Sequence, residues 1–159
     1  MWLRYRPQVA LNTTKLWRWL TADHPVTRLQ IYLAALWWGS MTTIGLLVVP
    51  LLFVYSESPA IAGQMAAKLF AAQTWVSLLC GLLKLLAAQR QARAKGLTQS
   101  PSPWLLGGVL MALLLEFSVA PHIVARDNLL LWHNLGTALY LGQCLCAAKV
   151  LWDTQSPTD

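Results

Sequence analysis

Four long runs of hydrophobic residues organise this chain. The runs cover about residues 30–54, 65–88, 104–124 and 129–152, and polar segments separate them. An α-helix needs ~20 apolar residues to cross a bilayer core of ~30 Å, because it rises ~1.5 Å per residue. Each run meets this requirement. The pattern therefore predicts an all-α membrane protein, built as a bundle of four transmembrane helices.

Polar segments and capping residues set the expected boundaries. The pair Ser58-Pro59 is typical of an N-cap followed by the first helical residue, so the second helix begins before its hydrophobic run. We expect a transmembrane domain over residues 29–152, with helices at about 30–54, 59–91, 104–124 and 129–152. Residues 1–28 form a basic cytoplasmic extension, in which residues 12–20 are either a short interfacial helix or a loosely ordered tail. Residues 153–159 form a polar tail.

Two features of the first run predict its shape and packing. Pro50 has no amide hydrogen and leaves the carbonyl of Leu46 without its donor, which predicts a kink or an early end of the helix. Ala35, Gly39 and Thr43 recur every four residues. Small residues at this spacing form a face that a neighbouring helix can approach closely.

The distribution of basic residues predicts the orientation. Ten of the twelve lysines and arginines lie on the side of the two termini, and only Lys68 and Arg126 lie on the other side. Cytoplasmic segments of membrane proteins carry the excess of basic residues, so both termini are expected in the cytoplasm of a bacterial cell with the chain in its inner membrane. Because the basic residues cluster at helix ends, and the chain is 57% hydrophobic and 11% charged, nucleic acid is not an expected partner.

Glu116 is the only formally charged residue of the third run. A carboxylate in hydrocarbon costs several kcal/mol unless it is paired, protonated or facing a watery interior. Lys84 on the second helix is a candidate partner, although its long stem could equally reach the interface. Glu116 is therefore either part of a proton relay or cation site, or a protonated carboxyl bonded to the fourth helix.

Polar side chains also recur at helical spacing on the second and fourth helices. Such a stripe indicates that one helix face points into the bundle. We expect it to form a buried polar or ion site, unless these groups only join the helices through hydrogen bonds worth ~0.6 kcal/mol each. The candidate residues are Glu116, Lys84, Gln73, Ser77, Tyr140 and Thr137.

Histidine and sulfur side chains are the candidate metal ligands. His122 and His133 flank the predicted turn between the third and fourth helices and could bind copper, zinc or haem iron. Cys80, Met111 and Cys144 lie at comparable depth on three helices and could bind Cu(I). The alternatives are two separate interfacial histidines and ordinary sulfur-containing core residues. The three cysteines match neither a CxxC nor a zinc-type pattern.

Several short sequences along residues 30–152 resemble one family. They are Ala35-Leu36-Trp37-Trp38-Gly39, Val49-Pro50-Leu51-Leu52-Phe53, Ala62-Gly63-Gln64-Met65-Ala66-Ala67-Lys68-Leu69-Phe70, Trp75-Val76, Leu131-Trp132-His133-Asn134 and Ala138-Leu139-Tyr140-Leu141, with Pro121 and Arg126. Their order and spacing are similar to a bacterial family of four-helix membrane domains of unknown function, the DUF4149 type. Its eukaryotic relative is a transmembrane protein linked to platinum-drug resistance.

This resemblance implies a four-helix inner-membrane bundle without an assigned reaction. It gives special status to Pro50, Gly63, Phe70, Pro121 and His133, with no role assigned to any of them. A looser similarity in architecture links such bundles to a copper-resistance membrane domain and to a membrane protoporphyrinogen oxidase. Copper and haem are therefore the cofactors that the resemblance brings into consideration.

Three functions are consistent with these patterns. The first is an interaction or structural subunit, whose partners are the lipid bilayer and either another membrane protein or a second copy of the chain. The second is handling or transport of a metal ion or proton through the polar interior. The third is a haem-linked redox protein. An enzyme is the less expected class, because the chain has no nucleophile triad, P-loop or dinucleotide fingerprint.

Overall fold

The computed structural model describes residues 25–94, 96, 98 and 100–155. Four helices in this part are long and apolar enough to cross a membrane, and we call them the first to fourth spans: Arg28–Tyr55, Pro59–Ala94, Pro103–Ala125 and Leu129–Gln155. The all-α class with four membrane-length helices, predicted from the hydrophobic runs, is confirmed. The interfacial helix considered for residues 12–20 and the end of the polar tail, 156–159, lie outside the described residues.

The first span passes through Pro50 without ending there. It consists of an α-helix, Pro25–Thr43, a π-helical turn, Ile44–Val48, and a second α-helix, Val49–Tyr55. In the π turn the amide of Val49 donates to the carbonyl of Ile44, five residues earlier. The extra residue shifts the hydrogen-bond register immediately before Pro50, which has no amide to contribute. The proline therefore changes the helix type, and the predicted early end does not occur.

The third span repeats this arrangement around Pro121. An α-helix, Pro103–Leu114, is followed by a π turn, Leu115–Val119, and a short α-helix, Ala120–Ala125. The amide of Ala120 donates to the carbonyl of Leu115. Pro121 thus stands two residues after its π turn, as Pro50 does in the first span, so the two prolines have equivalent positions in parallel helices.

The core lies where the four spans meet around Trp37. This side chain is fully buried, together with Met41 of the first span and Cys80 of the second. Its ring reaches the third span at Gly108, where a Cβ atom would lie 2.8 Å from the ring. The absence of a side chain at Gly108 therefore lets the first and third spans come this close.

The small-residue face of the first span points away from the other spans. Ala35 and Thr43 are exposed, and a Cβ atom added at Gly39 would meet nothing within 4 Å. Close approach occurs instead at other glycines, such as Gly81, where a Cβ atom would lie 2.5 Å from Val109. The described part of the chain offers the predicted face no neighbour.

The turns follow the local sequence. The second span begins at Pro59, and the hydroxyl of Ser58 accepts a hydrogen bond from the amide of Ile61 at 3.4 Å, as expected of an N-cap. The third span ends at Ala125, and the next residue, Arg126, caps it in a left-handed conformation with φ of 59°. The fourth span begins with the carbonyl of Asn128 accepting from the amides of Leu131 and Trp132.

Candidate functional site

A buried hydrogen-bonded network joins the first, second and fourth spans. The side-chain amide of Gln73 donates to the hydroxyl of Ser40 at 3.0 Å and to that of Ser77 at 3.4 Å. The amide of Gln143 donates to the same Ser77 hydroxyl at 3.0 Å. Ser77 in turn donates to the carbonyl of Gln73 at 2.9 Å. Ser77 is therefore the junction through which the second span is connected to the fourth.

Two polar atoms of this interior have no hydrogen-bond partner among the described residues. They are the side-chain oxygen of Gln73 and the indole nitrogen of Trp37, both in side chains less than 4% exposed. Ser40 connects the two residues, because its hydroxyl donates to the carbonyl of Trp37 at 3.0 Å. A buried polar group without a partner reduces the net stabilisation that the network provides.

The sequence analysis identified Gln73 and Ser77 but missed Ser40 and Gln143. The signal for Gln143 was present: it lies seven residues after Gly136 and four before Ala147, and all three are buried on one face of the fourth span. On the second span the polar positions Gln73, Ser77 and Lys84 are buried together, whereas on the fourth span Thr137 is exposed and Tyr140 is half-buried.

Lys84 is held at the end of the spans where most basic residues lie. Its ammonium donates at 3.0 Å to the backbone carbonyl of Gln30 and at 3.0 Å to the hydroxyl of Thr154. Gln30 also donates from its side-chain amide to Gln91. Lys84 is 5% exposed, so its charge is retained inside the protein by neutral oxygens of the first and fourth spans. The candidate pair of Lys84 with Glu116 is not formed.

Glu116 lies in the π turn of the third span, half-buried. Its carboxylate forms no hydrogen bond or ion pair with any described residue. It follows Val109 by seven residues, which is two helical turns, and therefore lies on the face of the third span that contacts the second at Gly81. A groove of about 270 Å³ opens between these two spans around Gly81 and Val109. The groove extends from this contact towards Leu85 and Leu105, so Glu116 is an unpaired carboxyl on the opposite side of the contact from the groove.

Tyr140 connects the fourth span to the first. Its hydroxyl donates to the carbonyl of Met41 at 2.8 Å, and its ring meets that of Phe70 edge to face, with centroids 5.1 Å apart. Thr137 and His133, predicted on the same face, are exposed, and the Thr137 hydroxyl donates to the carbonyl of His133 in its own helix. Of these three residues, Tyr140 alone reaches the interior.

The two candidate metal-binding histidines have different surroundings. His122 stacks on Trp132 with ring centroids 4.0 Å apart, and its Nδ1 lies 3.4 Å from a carboxylate oxygen of Asp127. His133 is exposed. His122 thus contacts Asp127 and Trp132, whereas the described contacts give His133 no side-chain partner.

The sulfur side chains are distributed over different contacts. Cys80 belongs to the core around Trp37, and Cys144 packs against that core. Met111 lies against Gly142, where a Cβ atom would be 3.1 Å from its sulfur. Among the described residues, no three histidine, cysteine, aspartate or glutamate side chains form a group that could hold a metal ion.

A comparison with protein-family models identifies the family of the chain. The model described as "Domain of unknown function (DUF4149)" matches residues 32–128, which is more than half of the 159 residues. The chain belongs to the DUF4149 family. A comparison with curated proteins found no match, and neither did a comparison with solved structures.

The family match includes the residues that shape the first and third spans of this DUF4149 protein. Pro50 and Pro121 follow the two π turns, and Phe70 supports Tyr140. Gly63 makes no close approach, since a Cβ atom there would meet nothing within 4 Å. The structure thus gives Pro50, Pro121 and Phe70 packing or backbone roles.

Proposed function

We propose that this DUF4149 protein is an interaction subunit of the bacterial inner membrane, which holds a partner in the membrane through Glu116. The observation that carries the proposal is the unpaired, half-buried carboxyl of Glu116 in the middle of an apolar span. Intramembrane carboxyl groups are costly and are almost always paired or turned towards a polar interior. No described residue completes this site, and in this proposal a partner protein supplies the missing group.

The candidate partners within the described residues support this reasoning. Lys84 is engaged by Gln30 and Thr154, and the hydrogen bonds of the interior network join Ser40, Gln73, Ser77 and Gln143 without including Glu116. The π turn that carries Glu116 contacts both the second and the fourth span, yet none of their side chains bonds to it. π turns inside α-helices occur frequently at functional sites.

The orientation belongs to the same proposal. Arg28, Lys84, Arg90, Arg93 and Lys149 lie towards one end of the described spans, and Lys68 and Arg126 towards the other. The rule that basic residues stay inside predicts that the richer end, with both termini, faces the cytoplasm. A reporter fused after Gln155 tests this: cytoplasmic activity is expected, and periplasmic activity would reverse the orientation.

The relationship to the eukaryotic protein linked to platinum-drug resistance stays a prediction as well, because the family match does not test it. It assigns no activity to the chain. The proposed interaction therefore depends only on the geometry around Glu116.

The experiment uses a photo-crosslinking amino acid in the full chain, expressed in its native membrane. It is placed at Phe117, which is 64% exposed beside Glu116, and in a control at Leu145, which is 70% exposed on the fourth span. We expect a protein adduct at Phe117, weak or absent at Leu145, and strongly reduced by Glu116→Leu. The proposal is wrong if Phe117 captures no protein, or if Glu116→Leu leaves the adduct unchanged.

A further inference from the structure

We infer that the partner is a second copy of this chain, and that its Lys68 is the cation that meets Glu116. The inference rests on the proposed function and names the partner at the same site. Lys68 is exposed on the second span and forms no hydrogen bond or ion pair with any described residue. Lys68 and Glu116 are thus charged residues of opposite sign in the described spans, and lipid tails satisfy neither of them.

Lys68 belongs to the outward face of the second span. Steps of four and three residues lead from it through Ala72, Trp75, Leu79 and Leu82, all of which are exposed. Residues at this spacing share one side of a helix. The other side of the same helix carries Gln73, Ser77 and Lys84 and is buried. Lys68 therefore points away from its own chain, towards whatever packs on the second span.

This outward face meets the boundary between the second and third spans. Leu82 belongs to both, because it also lines the groove between the second and third spans. A copy that packs against the second span therefore also meets the third span of its partner, which carries Glu116. In a twofold dimer the same contact forms twice, because each copy supplies one lysine and one glutamate.

The depths of the two residues are compatible. Counted from the Gly81–Val109 contact at ~1.5 Å per residue, Lys68 lies about 19.5 Å and Glu116 about 10.5 Å towards the same end of the molecule. The four-carbon stem of lysine is flexible and can extend along the membrane normal. The two side chains can therefore approach one another across the contact between copies.

Reciprocal charge exchange tests the contact. Two differently tagged full-length copies are expressed together, and pairing is measured by co-purification in detergent and by energy transfer in vesicles. We expect wild-type copies to pair. Glu116→Lys and Lys68→Glu, each expressed with itself, should reduce pairing at least tenfold, because equal charges then meet. Arg126→Glu is the control, since it makes the same charge change at the same end of the molecule outside this contact.

The decisive experiment expresses the two single variants together. A Glu116→Lys copy paired with a Lys68→Glu copy brings opposite charges together at both contacts, so pairing should return towards the wild-type level. The chain carrying both substitutions should also pair with itself. Rescue in either arm excludes misfolding as the cause of the loss.

The result also separates this inference from the proposed function. If Phe117 captures a different protein and the two single variants do not rescue each other, the interaction function stands and the second copy is the wrong partner. If Phe117 captures no protein at all, the proposed function itself fails. If wild-type copies do not pair, or if Glu116→Lys and Lys68→Glu leave pairing unchanged, the inference is overturned.

Discussion

The hydroxyl of Tyr140 donates a 2.8 Å hydrogen bond to the carbonyl of Met41, just before the π turn of the first span. The contact requires Gly45, because a Cβ atom there would lie 2.8 Å from the Tyr140 ring. A π turn interrupts the regular pattern in which each carbonyl accepts from the amide four residues later. Tyr140 therefore supplies an additional donor at the point where the backbone register changes, and it ties the fourth span to that point.

Removing this hydroxyl should destabilise the protein modestly. In Tyr140→Phe the ring contact with Phe70 is retained and only the bond to Met41 is lost. Hydrogen bonds between membrane helices contribute ~0.6 kcal/mol on average and at most ~1.7 kcal/mol. We expect a loss in this range, measured by reversible unfolding in mixed detergent micelles. Tyr32→Phe is the control, because Tyr32 is 70% exposed. Equal effects of the two variants would contradict a structural role for the Tyr140–Met41 bond.

A methyl group at Gly45 should cost more than one at Gly39 in the same helix. In Gly45→Ala the new Cβ atom meets the Tyr140 ring at 2.8 Å, so the ring or the first span must move. Overpacking of this kind typically costs ~1–3 kcal/mol. Gly39→Ala meets nothing within 4 Å and should be neutral or slightly stabilising, since alanine favours the helix. Thermal unfolding of both variants checks the difference. A Gly45→Ala protein as stable as Gly39→Ala would show that the close approach is absent in the membrane.

The interior network should depend most on Ser77. Ser77→Ala leaves the side-chain amide of Gln143 without its acceptor and removes one acceptor from Gln73. A buried polar group left unpaired costs ~1–3 kcal/mol. We expect a loss of that size, compared with almost none for Ser118→Ala at an exposed position of the third span. Replacing both partners in Ser77→Ala/Gln143→Leu should recover part of the loss, because no buried amide is then left unpaired. A double variant less stable than either single variant would contradict this explanation.

The sequence alone predicts the positions of the four spans and the buried face of the second span. Length and hydropathy predict the spans directly, and the polar positions Gln73, Ser77 and Lys84 are buried together because a helix presents every third or fourth residue to one side. The fourth span was harder, because His133 and Thr137 have the same spacing as an inward stripe and yet lie outside. Periodicity defines a face, whereas the neighbouring helices decide which face is covered.

The local sequence also does not predict the two π turns or the hydrogen-bond partners of Lys84. Pro50 and Pro121 indicate disturbed backbone, but whether a helix kinks, ends or takes up a π turn depends on contacts such as Tyr140 with Met41, ninety-nine residues apart. The partners of Lys84 are a backbone carbonyl and a threonine hydroxyl from the two ends of the chain. Neither carries a charge that sequence reasoning would pair with an ammonium.

Replacing Lys84 by an apolar side chain of similar length should preserve stability. Its ammonium is almost fully buried and receives support from neutral oxygens alone, so the gain from these bonds is set against a large desolvation cost. In Lys84→Met no partner is left unpaired, since the hydroxyl of Thr154 still donates to the carbonyl of Val150 at 2.6 Å. We expect a thermal midpoint in detergent equal to or above that of the unmodified protein. Lys84→Ala is the matched control, because it removes the charge and also leaves a cavity beside Cys80 and should cost ~2 kcal/mol or more. A Lys84→Met protein as unstable as Lys84→Ala would show that the bonds to Gln30 and Thr154 outweigh the cost of burying the charge.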